Sequence, residues 1–66
     1  MKVLRLTHVE NEEGTGNYCF YDATNCAALL EEITEMQYSE EGEEWKIMVE
    51  EMPKAEFDAL PEFIGW

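Results

Sequence analysis

Bases are what this chain lacks most. Lysine and arginine number 4 against 16 aspartates and glutamates, a formal charge of −12 over 66 residues. That balance excludes unaided binding to nucleic acid or to an anionic bilayer, because both need positive charge. It admits attraction to a basic protein surface or to cations. It also costs stability through self-repulsion, most of all in dilute salt where screening is weak. Cysteine is scarce as well. Cys19 and Cys26 are too few for a secreted disulfide scaffold, so free thiols in a soluble cytoplasmic protein are expected rather than a Cys19–Cys26 bridge. No apolar run approaches membrane-spanning length. Met1-Lys2-Val3-Leu4-Arg5-Leu6 is a charge-broken alternation unlike the apolar core of a signal peptide.

Catalytic and cofactor motifs are missing too. His8 is the single histidine, and neither cysteine sits in a nucleophile signature, so His8 reads as a half-exposed strand residue. A zinc site from His8, Cys19 and Cys26 would lack a fourth ligand and the usual short Cys-Cys spacing. The glycines of Glu12-Glu13-Gly14-Thr15-Gly16 have no lysine and no following helix, and their surroundings repel phosphate. Glu40-Glu41-Gly42-Glu43-Glu44 is too short for a calcium loop with its alternating ligands and closing glutamate. No enzyme, cofactor or dedicated metal site is expected.

What is present suffices for one small domain. Apolar residues make up 45% and aromatics 12%, too many for a disordered acidic tail. Val3 to Val9 alternates with a period of two, with Leu4, Leu6 and His8 on one side. A polar, glycine-punctuated loop over 10–17 then leads to a short aromatic strand, Tyr18-Cys19-Phe20-Tyr21. Cys26, Leu29, Leu30, Ile33 and Met36 form one stripe of an amphipathic helix capped by Asp22 or Thr24, with Glu31, Glu32 and Glu35 outside the stripe. Ser39 to Glu44 reads as a turn and Trp45 to Glu50 as a third strand, with Trp45, Ile47 and Val49 on one face.

Pro53 can open a last short helix that stops before Pro61, with Met52 and Phe57 at the positions of a hydrophobic staple. These elements predict an α+β fold of order ββαβα, with a three-stranded antiparallel sheet in the order 2-1-3. One sheet face takes the helix stripe, and the stretch from Glu31 to Glu51 carries Ile33, Met36, Trp45, Ile47 and Val49 into the core. The other face is expected to hold some of Val3, Arg5, Cys19, Tyr21, Lys46 and Met48, with Phe57, Leu60, Phe63, Ile64 and Trp66 as cover or as a sticking surface.

The acid is not spread evenly. Nine of the 16 carboxylates, Glu31, Glu32, Glu35, Glu40, Glu41, Glu43, Glu44, Glu50 and Glu51, fall between positions 31 and 51 against one base, Lys46. Solvated charge for solubility or high salt would explain them. So would a row of carboxylates standing in for phosphates in the basic groove of a nucleic-acid-binding protein. Glu31 and Glu35 are one helical turn apart, roughly 5–6 Å between Cβ atoms. Glu40, Glu41, Glu43 and Glu44 extend that row, and Glu50 and Glu51 border it.

The closing segment, Met52-Pro53-Lys54-Ala55-Glu56-Phe57-Asp58-Ala59-Leu60-Pro61-Glu62-Phe63-Ile64-Gly65-Trp66, resembles the ends of short uncharacterised phage and prophage proteins. In its small size and acidity the whole chain also resembles phage-encoded host-defence inhibitors such as anti-CRISPR proteins. That resemblance implies a non-enzymatic inhibitor, monomer or homodimer, that binds a basic nucleic-acid-binding host protein such as a CRISPR-Cas effector through the nine glutamates. The alternative is a small assembly module that associates through its C-terminal aromatics.

Overall fold

The computed structural model describes residues 1–63. The ββαβα order holds: β1 (Lys2–Val9), β2 (Tyr18–Asp22), α1 (Ala27–Glu35), β3 (Glu44–Glu51) and α2 (Lys54–Asp58). A single 3-10 turn, Met36–Tyr38, continues α1. The sheet is antiparallel in the order β2-β1-β3, so β1 is central.

The β1–β2 connection is held by its own side chains. The Asn11 carboxamide oxygen accepts the N–H groups of Glu13 and Thr15 at 3.0 and 3.2 Å, the bracing that makes asparagine a turn former. Gly14 takes φ +79°, open to glycine without strain. The Lys46 ammonium donates to its carbonyl at 2.9 Å and ties the loop to β3.

Residues opposite one another across a sheet share a face. Leu4 faces Tyr21 and Val49, Leu6 faces Cys19 and Ile47, and His8 faces Trp45. Leu6, Tyr21 and Leu29 of α1 form the buried core, with Leu4, Cys19, Cys26, Met36 and Trp45 packed against it. Burying a leucine side chain stabilises by about 1.5–3 kcal/mol. Cys19 and Tyr21 therefore lie under α1, whereas the alternation alone had placed them on the far face. Every residue of Tyr18-Cys19-Phe20-Tyr21 is apolar or aromatic, so nothing in that strand marks its inner side and the hairpin register decides.

The far face carries the fully buried Val3 and an Arg5 group. The Arg5 Nε lies 2.8 Å from a Glu50 carboxylate oxygen, and its guanidinium sits 5.5 Å from the Tyr18 ring centre.

α1 departs from expectation at its start. Neither Asp22 nor Thr24 caps it. The Asp22 carboxylate instead accepts both the Thr24 N–H and hydroxyl at 2.8 Å, an Asx-type turn that delays the helix until Cys26 stands at its N-cap. The Thr24 bonds hold the Asp22 carboxyl below the usual carboxylate range.

The stripe is also narrower than predicted. Leu29 is 4% exposed, but Leu30 is 61% and Ile33 41% exposed, and Ile47 and Val49 on β3 stay largely open too. One nine-residue helix is too narrow to cover three strands. Glu32, placed outside the stripe by the sequence, is half-buried. Glu44 belongs to β3 rather than to the preceding turn.

At the C-terminal end Pro53 is the N-cap of α2, with φ −60° and ψ 142°. Its carbonyl accepts the N–H groups of Glu56 and Phe57 at 3.0 and 3.1 Å. The helix ends before Pro61, and Phe57, Leu60, Pro61 and Phe63 border a cleft of about 620 Å³ with Tyr18 and Phe20 of β2. The expected roles of Ile64 and Trp66 fall outside the described residues.

Candidate acidic interface

The nine glutamates do not form one row. Glu31 and Glu35 stand exposed on α1, while Glu40, Glu41 and Glu43 stand exposed on the turn that follows. Gly42 takes φ +94° in that turn. The turn is closed by the Glu43 N–H donating to the Glu40 carbonyl at 3.2 Å, and by the Glu43 carboxylate accepting the Glu40 N–H in return. Glu44 opens β3. Glu50 and Glu51 lie at the other end of that strand, roughly 20 Å away at about 3.3 Å per residue. Glu50 also points to the far face and is neutralised by Arg5. Glu51 remains exposed, 3.9 Å from the terminal amine.

The structure gathers a tighter group than the sequence suggested. Glu32, Glu35 and Glu43 line a cleft of about 360 Å³ with His8, Tyr38 and Trp45. His8 stacks on Trp45 with ring centres 4.4 Å apart and planes 20° from parallel. The His8 Nε2 lies 3.0 Å from a Glu43 oxygen. Strand order brings this about: antiparallel pairing sets the end of β1 against the start of β3, so His8 meets Trp45. The 2-1-3 order was legible in the sequence and could have disclosed this pairing. Read as a half-exposed strand residue, His8 gave no sign of the ring it stacks on.

The remaining titratable groups point inward or elsewhere. Burial pushes the Cys19 thiol up, with Glu32 adding to the rise. Tyr21 is pushed up for the same first reason and then by Cys19. Lys54 pairs with Asp58 at 2.7 Å, and both cysteines are free thiols. Among the described residues no three His, Cys, Asp or Glu side chains converge as metal ligands, and no helix is long and apolar enough to cross a membrane. Three of the four bases are engaged elsewhere: Arg5 with Glu50, Lys46 with the β1–β2 loop, Lys54 with Asp58.

The chain can therefore present carboxylates on a helix and a braced turn, beside aromatic rings that offer stacking faces. No protein-family model, curated protein or solved structure matches this chain in sequence or fold.

Proposed function

We propose that this protein is a non-enzymatic inhibitor that occupies the basic groove of a nucleic-acid-binding protein with its acidic end. The observation that carries this reading is the setting of Glu31, Glu35, Glu40, Glu41 and Glu43 on α1 and its braced turn, in a chain of charge −12. A groove that neutralises phosphates presents cations at fixed spacing, and carboxylates on a folded scaffold meet them at little cost in ordering. Glu50 takes no part, because Arg5 already neutralises it. The resemblance in character to anti-CRISPR proteins points to a CRISPR-Cas effector as the target class, in the cytoplasm of a bacterial host.

The test is capture of nucleic-acid-binding proteins from bacterial lysate on the immobilised chain, with release by duplex DNA. The captured protein should be displaced by DNA and by moderate salt. It should be lost when Glu31 and Glu35, or Glu40 and Glu41, are changed to lysine while circular dichroism stays unchanged. Capture that survives both reversals refutes the reading.

A further inference from the structure

We propose that β3 is a dimerisation edge, pairing antiparallel with β3 of a second copy of this chain. The proposal rests on different observations from the functional reading above. β3 is an outer strand, and its hydrogen-bonded neighbour in the sheet is β1. The terminal amine donates to the Met52 carbonyl and the Met52 N–H donates to the Met1 carbonyl. Met1 and Met52 are therefore a hydrogen-bonded pair, and every second residue from there, Glu50, Met48, Lys46 and Glu44, turns its backbone groups toward β1. Trp45, Ile47, Val49 and Glu51 turn theirs outward. Among the described residues no strand pairs with Ile47, Val49 and Glu51 on that side, and such an edge is a template for another strand.

Side chains along that edge show what fits it. Ile47 and Val49 are 48% and 65% exposed on the helix-bearing face. On α1, which covers that face, Leu30 and Ile33 are also left 61% and 41% exposed.

The occupant follows from the register. Outward residues must pair with outward residues, which leaves a few alignments of two copies. Centring on Ile47 sets Glu44 against Glu50 twice, two carboxylates to the one Arg5 beside Glu50, and leaves Lys46 opposite Met48. Centring on Val49 sets Ile47 against Glu51 and Met48 against Glu50. Centring on Met48 pairs Ile47 with Val49 twice on one face and Lys46 with Glu50 twice on the other, with no carboxylate opposite another. The edge is self-complementary in that alignment, as an isologous two-fold interface requires. Ile47 and Val49 of the two copies would exchange about four intermolecular backbone hydrogen bonds. Lys46 spends one of its three donors on the Gly14 carbonyl, so donors remain for the partner's Glu50. Two chains of −12 repel, so the dimer tightens as salt screens them.

Met48 supplies a register-specific test. On the two-fold it faces its own copy at a non-hydrogen-bonded position, where Cα atoms are about 4.5 Å apart, within disulfide range. With Cys19 and Cys26 changed to serine, Met48→Cys should give a covalent dimer under mild oxidation. It should form at least about tenfold faster than from Glu41→Cys in the same background, since effective concentration at a formed interface is millimolar. Sedimentation equilibrium of the wild-type chain should show the mass approaching twice the monomer's as protein and sodium chloride rise. Lys46→Glu, which sets carboxylates opposite one another, should return it to the monomer. A monomer at all salt concentrations overturns the proposal. So does a dimer in which Met48→Cys couples no faster than the control, because the contact then lies elsewhere.

Discussion

Replacing Leu29 and Leu30 separately with alanine should have very different costs, although the two are neighbours on one stripe. Leu29 is 4% exposed and belongs to the core with Leu6 and Tyr21. Its truncation removes buried methyls and leaves a void, a change that costs about 2–5 kcal/mol. Leu30 is 61% exposed, so at most two-fifths of its burial energy is at stake. Against about 1.5–3 kcal/mol for complete burial, that is roughly 1 kcal/mol or less. A chain of 66 residues has a total stability of about 3–10 kcal/mol. Leu29→Ala should therefore approach or cross the folding threshold, while Leu30→Ala keeps a clear cooperative transition.

Urea unfolding followed by far-ultraviolet circular dichroism at micromolar protein measures both. With a slope of about 1 kcal/mol/M for so small a domain, Leu30→Ala should move the midpoint by about 1 M or less. Leu29→Ala should move it by at least about 2 M or abolish the transition. Equal costs would mean that both flanks of α1 are buried in the single chain, and the narrow core described above would be wrong. Low protein concentration matters, because the proposed β3 pairing would add to the cost of Leu30→Ala as the dimer fills.

Two further outcomes follow from the site and its loops. The Cys19 thiol is raised in the folded state, chiefly by burial, so its contribution is present in full below the ordinary thiol value of 9.0 and is lost as pH rises through the folded value. Urea midpoints should fall above pH 9, and Cys19→Ala should flatten the first part of that fall; parallel curves would refute it. At Gly16 an added Cβ would sit 1.9 Å from the His8 carbonyl oxygen, whereas at Gly42 it meets open space but a φ of +94°. Gly16→Ala should cost about 2 kcal/mol or more by displacing the β1–β2 hairpin, and Gly42→Ala about 1–2 kcal/mol from backbone strain alone, both read as shifts in midpoint.

Much of the fold was legible because its signals are local. Alternation in Val3–Val9 and Trp45–Glu50, the loop over 10–17 and the Pro53 start of α2 each report through neighbours in sequence. Strand order then followed from the topology of short connections. What escaped depends on width and register. Period alone assigns Leu30 and Ile33 to the same side as Leu29, and only the span of three strands against one helix shows that they are left uncovered. Asp22 had the chemistry of a helix cap, but Thr24, two residues on, offered it a nearer pair of donors. The acidic row failed in the same way. Nine glutamates between positions 31 and 51 look continuous along the chain, but a strand carries Glu50 and Glu51 away from Glu44 and turns Glu50 to the face where Arg5 waits.

That division changes what the acid can be for. Solubility is served by carboxylates anywhere on the surface, and needs neither a braced turn nor distance from the bases. Here Arg5 and Lys54 are held at contacts away from the acidic turn and Lys46 is tied to the Gly14 carbonyl, while Glu43 fixes the turn through the Glu40 N–H and sits against His8. The outer edge of β3 has a different character, with Lys46, Met48 and Glu50 arranged to suit a copy of themselves. A partner held by the acidic turn is released by salt, whereas a partner held along β3 is favoured by it. One salt titration, read by capture and by mass, therefore assigns each surface its own role. If both responses ran in the same direction, the acidic turn and the β3 edge would not be the separate surfaces that their side chains describe.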